Sequence, residues 1–180
     1  ELRKKLLKDN AILETMELSL ARREFKVFLQ PKYDLNSCNP VGAEALVRWF
    51  HKDWGLVPPN EFIPLFEKNG FITKLDRYIF EEVFAFLANM KRQNMTLLPI
   101  SVNVSRIDFF RLDLVSIFDS LIKKYDIEPK YVHIEVTESA YSENTDVIIH
   151  TVDKLHELGL VIEMDDFGSG YSSLNMFSQM

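Results

Sequence analysis

From residue 61 to the end of the chain, short apolar runs alternate with stretches long enough to be helices, and no other feature restricts the fold as strongly. The runs at 99–104, 132–137 and 160–165 read as strands. Helices are expected at about 61–68, 73–94, 114–125 and 145–158, with a further one opening near Ser172. Parallel strands need a crossover of a dozen or more residues, usually helical, so this rhythm implies βα units and a mainly parallel sheet. Ahead of it, runs at 26–34 and 41–49 flank the turn-rich Asn36-Ser37-Cys38-Asn39-Pro40. They read as a hairpin, hence one antiparallel pair. Five strands are expected in all, as an open doubly wound sheet or as part of a closed barrel, and the apolar pattern does not choose between the two.

Residues 1–24 carry Leu6, Ile12, Leu13, Met16 and Leu20 among Lys, Arg and Glu, which is helical spacing with one apolar stripe. Two readings stand: a surface helix packed on its own domain, or a connector leading out of an upstream domain. The chain opens at Glu1 without an initiator methionine, as a segment of a longer protein would. The expected division is a connector helix at 1–24 and one domain at 25–180.

Composition excludes some function classes. A net charge of −6 offers no basic face for a nucleic-acid polymer, although a small anionic ligand held through metal remains compatible. Cys38 is the only cysteine, so neither a disulfide framework nor a thiolate metal site is available, which fits a reducing cytoplasm. The longest apolar runs fall well short of the roughly 18 residues of a membrane span, and no signal peptide opens the sequence. A cytoplasmic domain is expected, and a membrane anchor elsewhere in the parent protein stays open.

The polar residues discriminate between the two sheet architectures. Four of the five strands carry, in or at the end of the run, a residue able to ligate a hard cation: Glu44, Asn103, Glu135, and the pair Asp165-Asp166. A carboxylate in an apolar strand is costly to bury unless it is paired or bound to metal. One such residue is ordinarily a satisfied core acid; four on different strands are hard to explain that way. All are oxygen donors, which suit Mg2+ or Mn2+ rather than zinc. Sites assembled from the C-terminal ends of several strands are the habit of βα barrels, so the pattern favours the barrel. After the acidic pair, Gly168 and Gly170 allow a sharp turn, and a helix opening at Ser172-Ser173 would aim free N–H groups at the site.

Gln30-Pro31, Glu44-Ala45-Leu46 with Arg48-Trp49, Asn103-Val104-Ser105, Glu135-Val136-Thr137-Glu138, and the run from Asp165 to Leu174 follow one another in this order. Together they resemble the successive motifs of the EAL domain family of cyclic-di-GMP phosphodiesterases. The resemblance implies an α/β fold, a modified (β/α)8 TIM-like barrel with one antiparallel strand, of which about five strands fall within this chain. It implies metal-dependent hydrolysis of cyclic-di-GMP to linear pGpG in bacterial signalling, with Mg2+ or Mn2+ as the cofactor, two ions in number. On the same resemblance, Glu44, Asn103, Glu135 and Asp165 are metal ligands and Asp166 holds a second metal. Glu138 steadies the loop 167–171, Arg48 meets a substrate phosphate, and Gln30 and Leu46 lie at the substrate end. An upstream GGDEF or sensor domain and a homodimer are compatible with it. In the family, further strands supply a lysine, a glutamate and a glutamine after the helix where this chain stops, at Met180. The 180 residues alone are therefore expected to be inactive. The alternative function is a catalytically silent module that senses cyclic-di-GMP.

One expectation comes from strand parity alone. Side chains two apart share a face, so His133 should lie beneath Glu135 and Glu163 beneath Asp165. The two either form a hydrogen-bonded pair under the site or are satisfied separately by backbone or water.

Overall fold

The computed structural model describes residues 2–137 and 145–165, with Thr145 and Asp165 described by their backbone only. Helix α1 (Leu2–Ala21) buries Ile12 and Ser19 and leads through Arg23, at a φ of 57°, into the sheet. Strands β1 (Phe25–Tyr33) and β2 (Pro40–His51) form the expected antiparallel hairpin. Its turn is set by Asp34, whose Oδ1 accepts the backbone N–H groups of Ser37 at 2.7 Å and Asn36 at 3.2 Å. This is the local ring that makes aspartate a turn residue.

A short strand β3 (Gly55–Val57) folds back on β2. Helices α2 (Pro59–Asn69) and α3 (Ile72–Arg92) follow, separated by Gly70 at a φ of 82°. Then come β4 (Ile100–Asn103), α4 (Arg106–Arg111), α5 (Leu114–Tyr125), β5 (Val132–Thr137), α6 (Thr145–Glu157) and β6 (Val161–Asp165). The helix expected near Ser172 lies outside the described residues.

Among the described residues, six strands make one mixed sheet, ordered β1-β2-β4-β5-β6 with β3 paired to β2. Pairs β2–β4, β4–β5 and β5–β6 are parallel, as the βα rhythm requires. On one face, Ala45, Trp49, Val102, Ile134 and Val136 join the buried sides of α3 (Leu75, Ile79, Phe80, Val83, Phe84, Leu87) and α5 (Leu114, Phe118, Leu121) in a continuous core. Leu75, Ile79, Val83 and Leu87 recur every four residues with Phe80 and Phe84 beside them, which puts one full stripe of α3 against the sheet. An aromatic knot anchors the hairpin end: Phe25 stacks on Trp49 at 5.0 Å between ring centroids, and Phe62 and Phe66 pack edge-on against Phe25. The alternate strand positions, Glu44, Ser101, Asn103, His133, Glu135 and Glu163, point to the other face and are polar. No helix among the described residues is long and apolar enough to cross a membrane.

Candidate metal centre and adjoining cavity

Register aligns the polar face. Gln30 is opposite Glu44 in the hairpin, Glu44 is level with Ser101, Asn103 with Glu135, and Glu135 with Glu163. Because β4 ends at Asn103, its side chain clears the strand and donates through Nδ2 to Glu44 Oε1 at 3.0 Å. Glu135 is 7% exposed; its Oε1 accepts from Lys32 Nζ at 2.5 Å, and its Oε2 is buried with no hydrogen-bond donor. Burial raises the Glu135 carboxyl above the usual range; the Lys32 hydrogen bond opposes this, and the charge of Glu44 reinforces it. A buried acceptor without a donor costs about 1–3 kcal/mol, and a cation against Glu135 Oε2 would remove that cost.

Three of the residues expected to share a cation, Glu44, Asn103 and Glu135, are therefore brought together from three strands. Among the described residues no three His, Cys, Asp or Glu side chains form a metal cage by themselves. The convergence consists of two carboxylates and an amide oxygen. Asp165 closes β6 as the register partner of Thr137, and its side chain lies outside the description. Asp166, Glu138 and the loop 167–171 lie outside the described residues.

Beneath this group the parity expectation is met: His133 Nδ1 lies 2.6 Å from Glu163 Oε1. Lys32 was not foreseen. Its ammonium donates to Ser101 Oγ at 2.7 Å and Glu163 Oε2 at 2.7 Å as well as to Glu135. Desolvation works against that charge, but the bonds to Glu135 and Glu163 outweigh it and raise the Lys32 pKa. Burial alone would raise Glu163 too, yet donation from Lys32, His133 and Ser101 brings its carboxyl down to about 2. The signal for Lys32 was present in the sequence, since a residue two after Gln30 must share its face.

Beside the middle of β2 and the C-terminal end of β4 lies a cavity of about 260 Å3, bordered by Leu46, Arg48, Pro59, Ile63, Asp76 and Asn103. Leu46 and Arg48 thus open onto the same space as Asn103, while Gln30 sits across the hairpin from Glu44. Arg48 also donates to the Val47 carbonyl at 2.9 Å. Asp76 is raised well above the usual carboxylate range, first by burial and then by the charge of Asp108. Asp108, also raised by burial, accepts from Ser105 N and Oγ at 3.1 and 2.8 Å, and its Oδ1 is buried without a donor. Asp76 and Asp108 share a side-chain hydrogen bond, which raises the Asp76 carboxyl further and opposes the effect of burial on Asp108. The cavity thus combines apolar walls, a guanidinium and a buried acid whose pKa is raised.

The EAL domain family profile matches residues 12–180. The chain is 32% identical over 163 residues to the bifunctional diguanylate cyclase/cyclic di-GMP phosphodiesterase MucR of Pseudomonas aeruginosa, spanning 91% of this chain and 24% of that protein. It is 33% identical over 163 residues to a second protein of that organism, a cyclic di-GMP phosphodiesterase, spanning 90% of this chain and 28% of that one. The chain thus covers about a quarter of the length of these relatives. Its fold matches the solved structure of the MucR phosphodiesterase in complex with c-di-GMP with a TM-score of 0.88 at 30% identity, covering 94% of this chain and 69% of that one.

Proposed function

Since this chain belongs to the EAL domain family, we propose that it carries the metal and substrate end of a phosphodiesterase that hydrolyses cyclic-di-GMP to pGpG. Its sheet and helical cover are part of the TIM-like barrel of that family. The observation that carries the proposal is the approach of Glu44, Asn103 and Glu135 from three neighbouring strands, with Glu135 Oε2 buried and unpartnered. The oxygen-only donor set fits Mg2+ or Mn2+. When bound, one or two such ions would supply an activated water and neutralise charge on the phosphodiester.

The chain's own residues do the rest. Glu44 within β2 and Asn103 at the end of β4, tied to each other, would offer oxygens to the ion, joined by Glu135 and by Asp165 and Asp166. Arg48 borders the cavity next to Asn103 and would face a substrate phosphate, holding the scissile bond near the ligand group. The apolar walls of Leu46 and Ile63 would pack against a base, and Asp76 would accept from its polar edge. Glu138 would steady the loop after Asp166. The net charge of −6 suits a small ligand gripped locally rather than a polymer held by a basic field.

The test pairs metal binding with product formation. A protein carrying these residues together with the family's further strands should bind Mn2+, read by electron paramagnetic resonance, and release pGpG from cyclic-di-GMP on chromatography, whereas the 180 residues alone should release none. Glu44→Gln should lose product and bind Mn2+ at least about tenfold more weakly. Tight binding of cyclic-di-GMP with metal present and no pGpG would instead make this a sensing module.

A further inference from the structure

Beneath the proposed cation ligands, Lys32 reaches from β1 to three other strands at once. Its ammonium has three protons, and the structure gives it three acceptors: Glu135 Oε1 on β5 at 2.5 Å, Ser101 Oγ on β4 at 2.7 Å and Glu163 Oε2 on β6 at 2.7 Å. Those acceptors are themselves held. Ser101 Oγ donates to Glu163 Oε2 at 2.8 Å, and His133 Nδ1 is 2.6 Å from Glu163 Oε1. The network leaves Glu135 in a one-sided state: Oε1 is tied down to Lys32, while Oε2 is buried and has no donor. A glutamate has three side-chain torsions, and Lys32 is the cationic donor that fixes those of Glu135.

We propose that Lys32 is a positioning residue for the metal centre: it clamps Glu135 through Oε1 so that Oε2 is presented to the cation, with Ser101, Glu163 and His133 holding Lys32 in place. The inference rests on the reading of Glu44, Asn103 and Glu135 as cation ligands. Partners of a metal ligand commonly set its orientation and are worth about 10–100-fold in metal affinity. A competing role is purely structural, in which Lys32 pins β1 to β6 and does nothing for the metal. The two roles separate in measurement, because a pin shifts thermal stability and leaves metal affinity alone.

The experiment measures Mn2+ binding to the folded protein by electron paramagnetic resonance, well below the unfolding temperature of each variant, with thermal unfolding recorded separately. Lys32→Met keeps an unbranched chain and removes the ammonium; it should bind Mn2+ about 10–100-fold more weakly. Restoration comes from Lys32→Cys in a Cys38→Ser background, alkylated with 2-bromoethylamine to return an ammonium at nearly the original reach. That protein should recover wild-type affinity. Lys32→Met binding Mn2+ as tightly as wild type, or more tightly, overturns the proposal and leaves only the pin. If Lys32→Met fails to fold, Ser101→Ala removes one anchor of the ammonium and must still weaken Mn2+ binding; wild-type affinity there also overturns the proposal. A wild-type protein that binds no Mn2+, or a Glu44→Gln variant that binds it normally, overturns instead the cation reading beneath it.

Discussion

At Glu163 and Asp76 burial pushes two carboxyls the same way, and their neighbours decide opposite outcomes. Glu163 has Lys32, His133 and Ser101 donating to it and stays ionised, with its pKa brought down to about 2. Asp76 has a second acid, Asp108, against it and is raised well above the normal range. The sign for stability follows. An acid whose folded pKa is raised binds its proton more firmly in the native state, so it stabilises the fold below the unfolded value, near 3.9, and that contribution is lost as pH rises through the folded pKa. Asp76→Asn removes this titration while keeping a donor for Asp108. Calorimetric unfolding should therefore lose less Tm between mildly acidic and mildly alkaline pH in the variant than in wild type; parallel Tm–pH curves would refute the assignment. Of these residues, His133 and Glu163 were readable as neighbours because parity on two adjacent strands is a local rule. Lys32 obeyed the same rule through Gln30. Asp76 had no such signal, since an acid on an amphipathic helix reads as solvated until the helix is packed.

The long elements follow their patterns closely. Helix α5 (Leu114–Tyr125) starts at Asp113, whose Oδ1 accepts Ser116 N at 3.0 Å, and β5 (Val132–Thr137) spans the expected run. The short elements are not legible from periodicity, among them a strand and a helix. Strand β3 has three residues and exists only by pairing with β2. Helix α4 has six, yet its capping box of Ser105 and Asp108 was visible as a Ser-x-x-Asp spacing. How closely β2 and β4 approach is set by Gly42: a Cβ there would sit 2.9 Å from the Pro99 carbonyl oxygen, to which Ala43 N donates at 2.9 Å. Backbone cannot swing aside as a flexible side chain can. Gly42→Ala should cost about 1–3 kcal/mol through overpacking, read as a lower urea midpoint. An unchanged midpoint would mean that the two strands can separate freely.

Across the described residues, one apolar core backs the sheet and the polar cluster occupies the opposite face. Phe66 is fully buried between Phe25, Trp49, Phe62 and Phe71, where α2 meets the hairpin. Phe66→Ala should cost about 3–5 kcal/mol and shift one cooperative transition seen alike by fluorescence and circular dichroism; separate transitions for the two probes would show that the hairpin end folds independently. The alternation of strand and helix, the hairpin, and the oxygen-bearing residues in or at the end of the strands could all be read along the chain, because each depends on residues close in sequence. The family motifs added the order of those ligands. Only the tertiary structure placed Lys32 on Glu163, 131 residues away, and left one oxygen of Glu135 without a donor. Those facts depend on strand order and register across the sheet, where a one-residue slip would turn every inward side chain outward, and no local pattern encodes which distant strand will lie alongside.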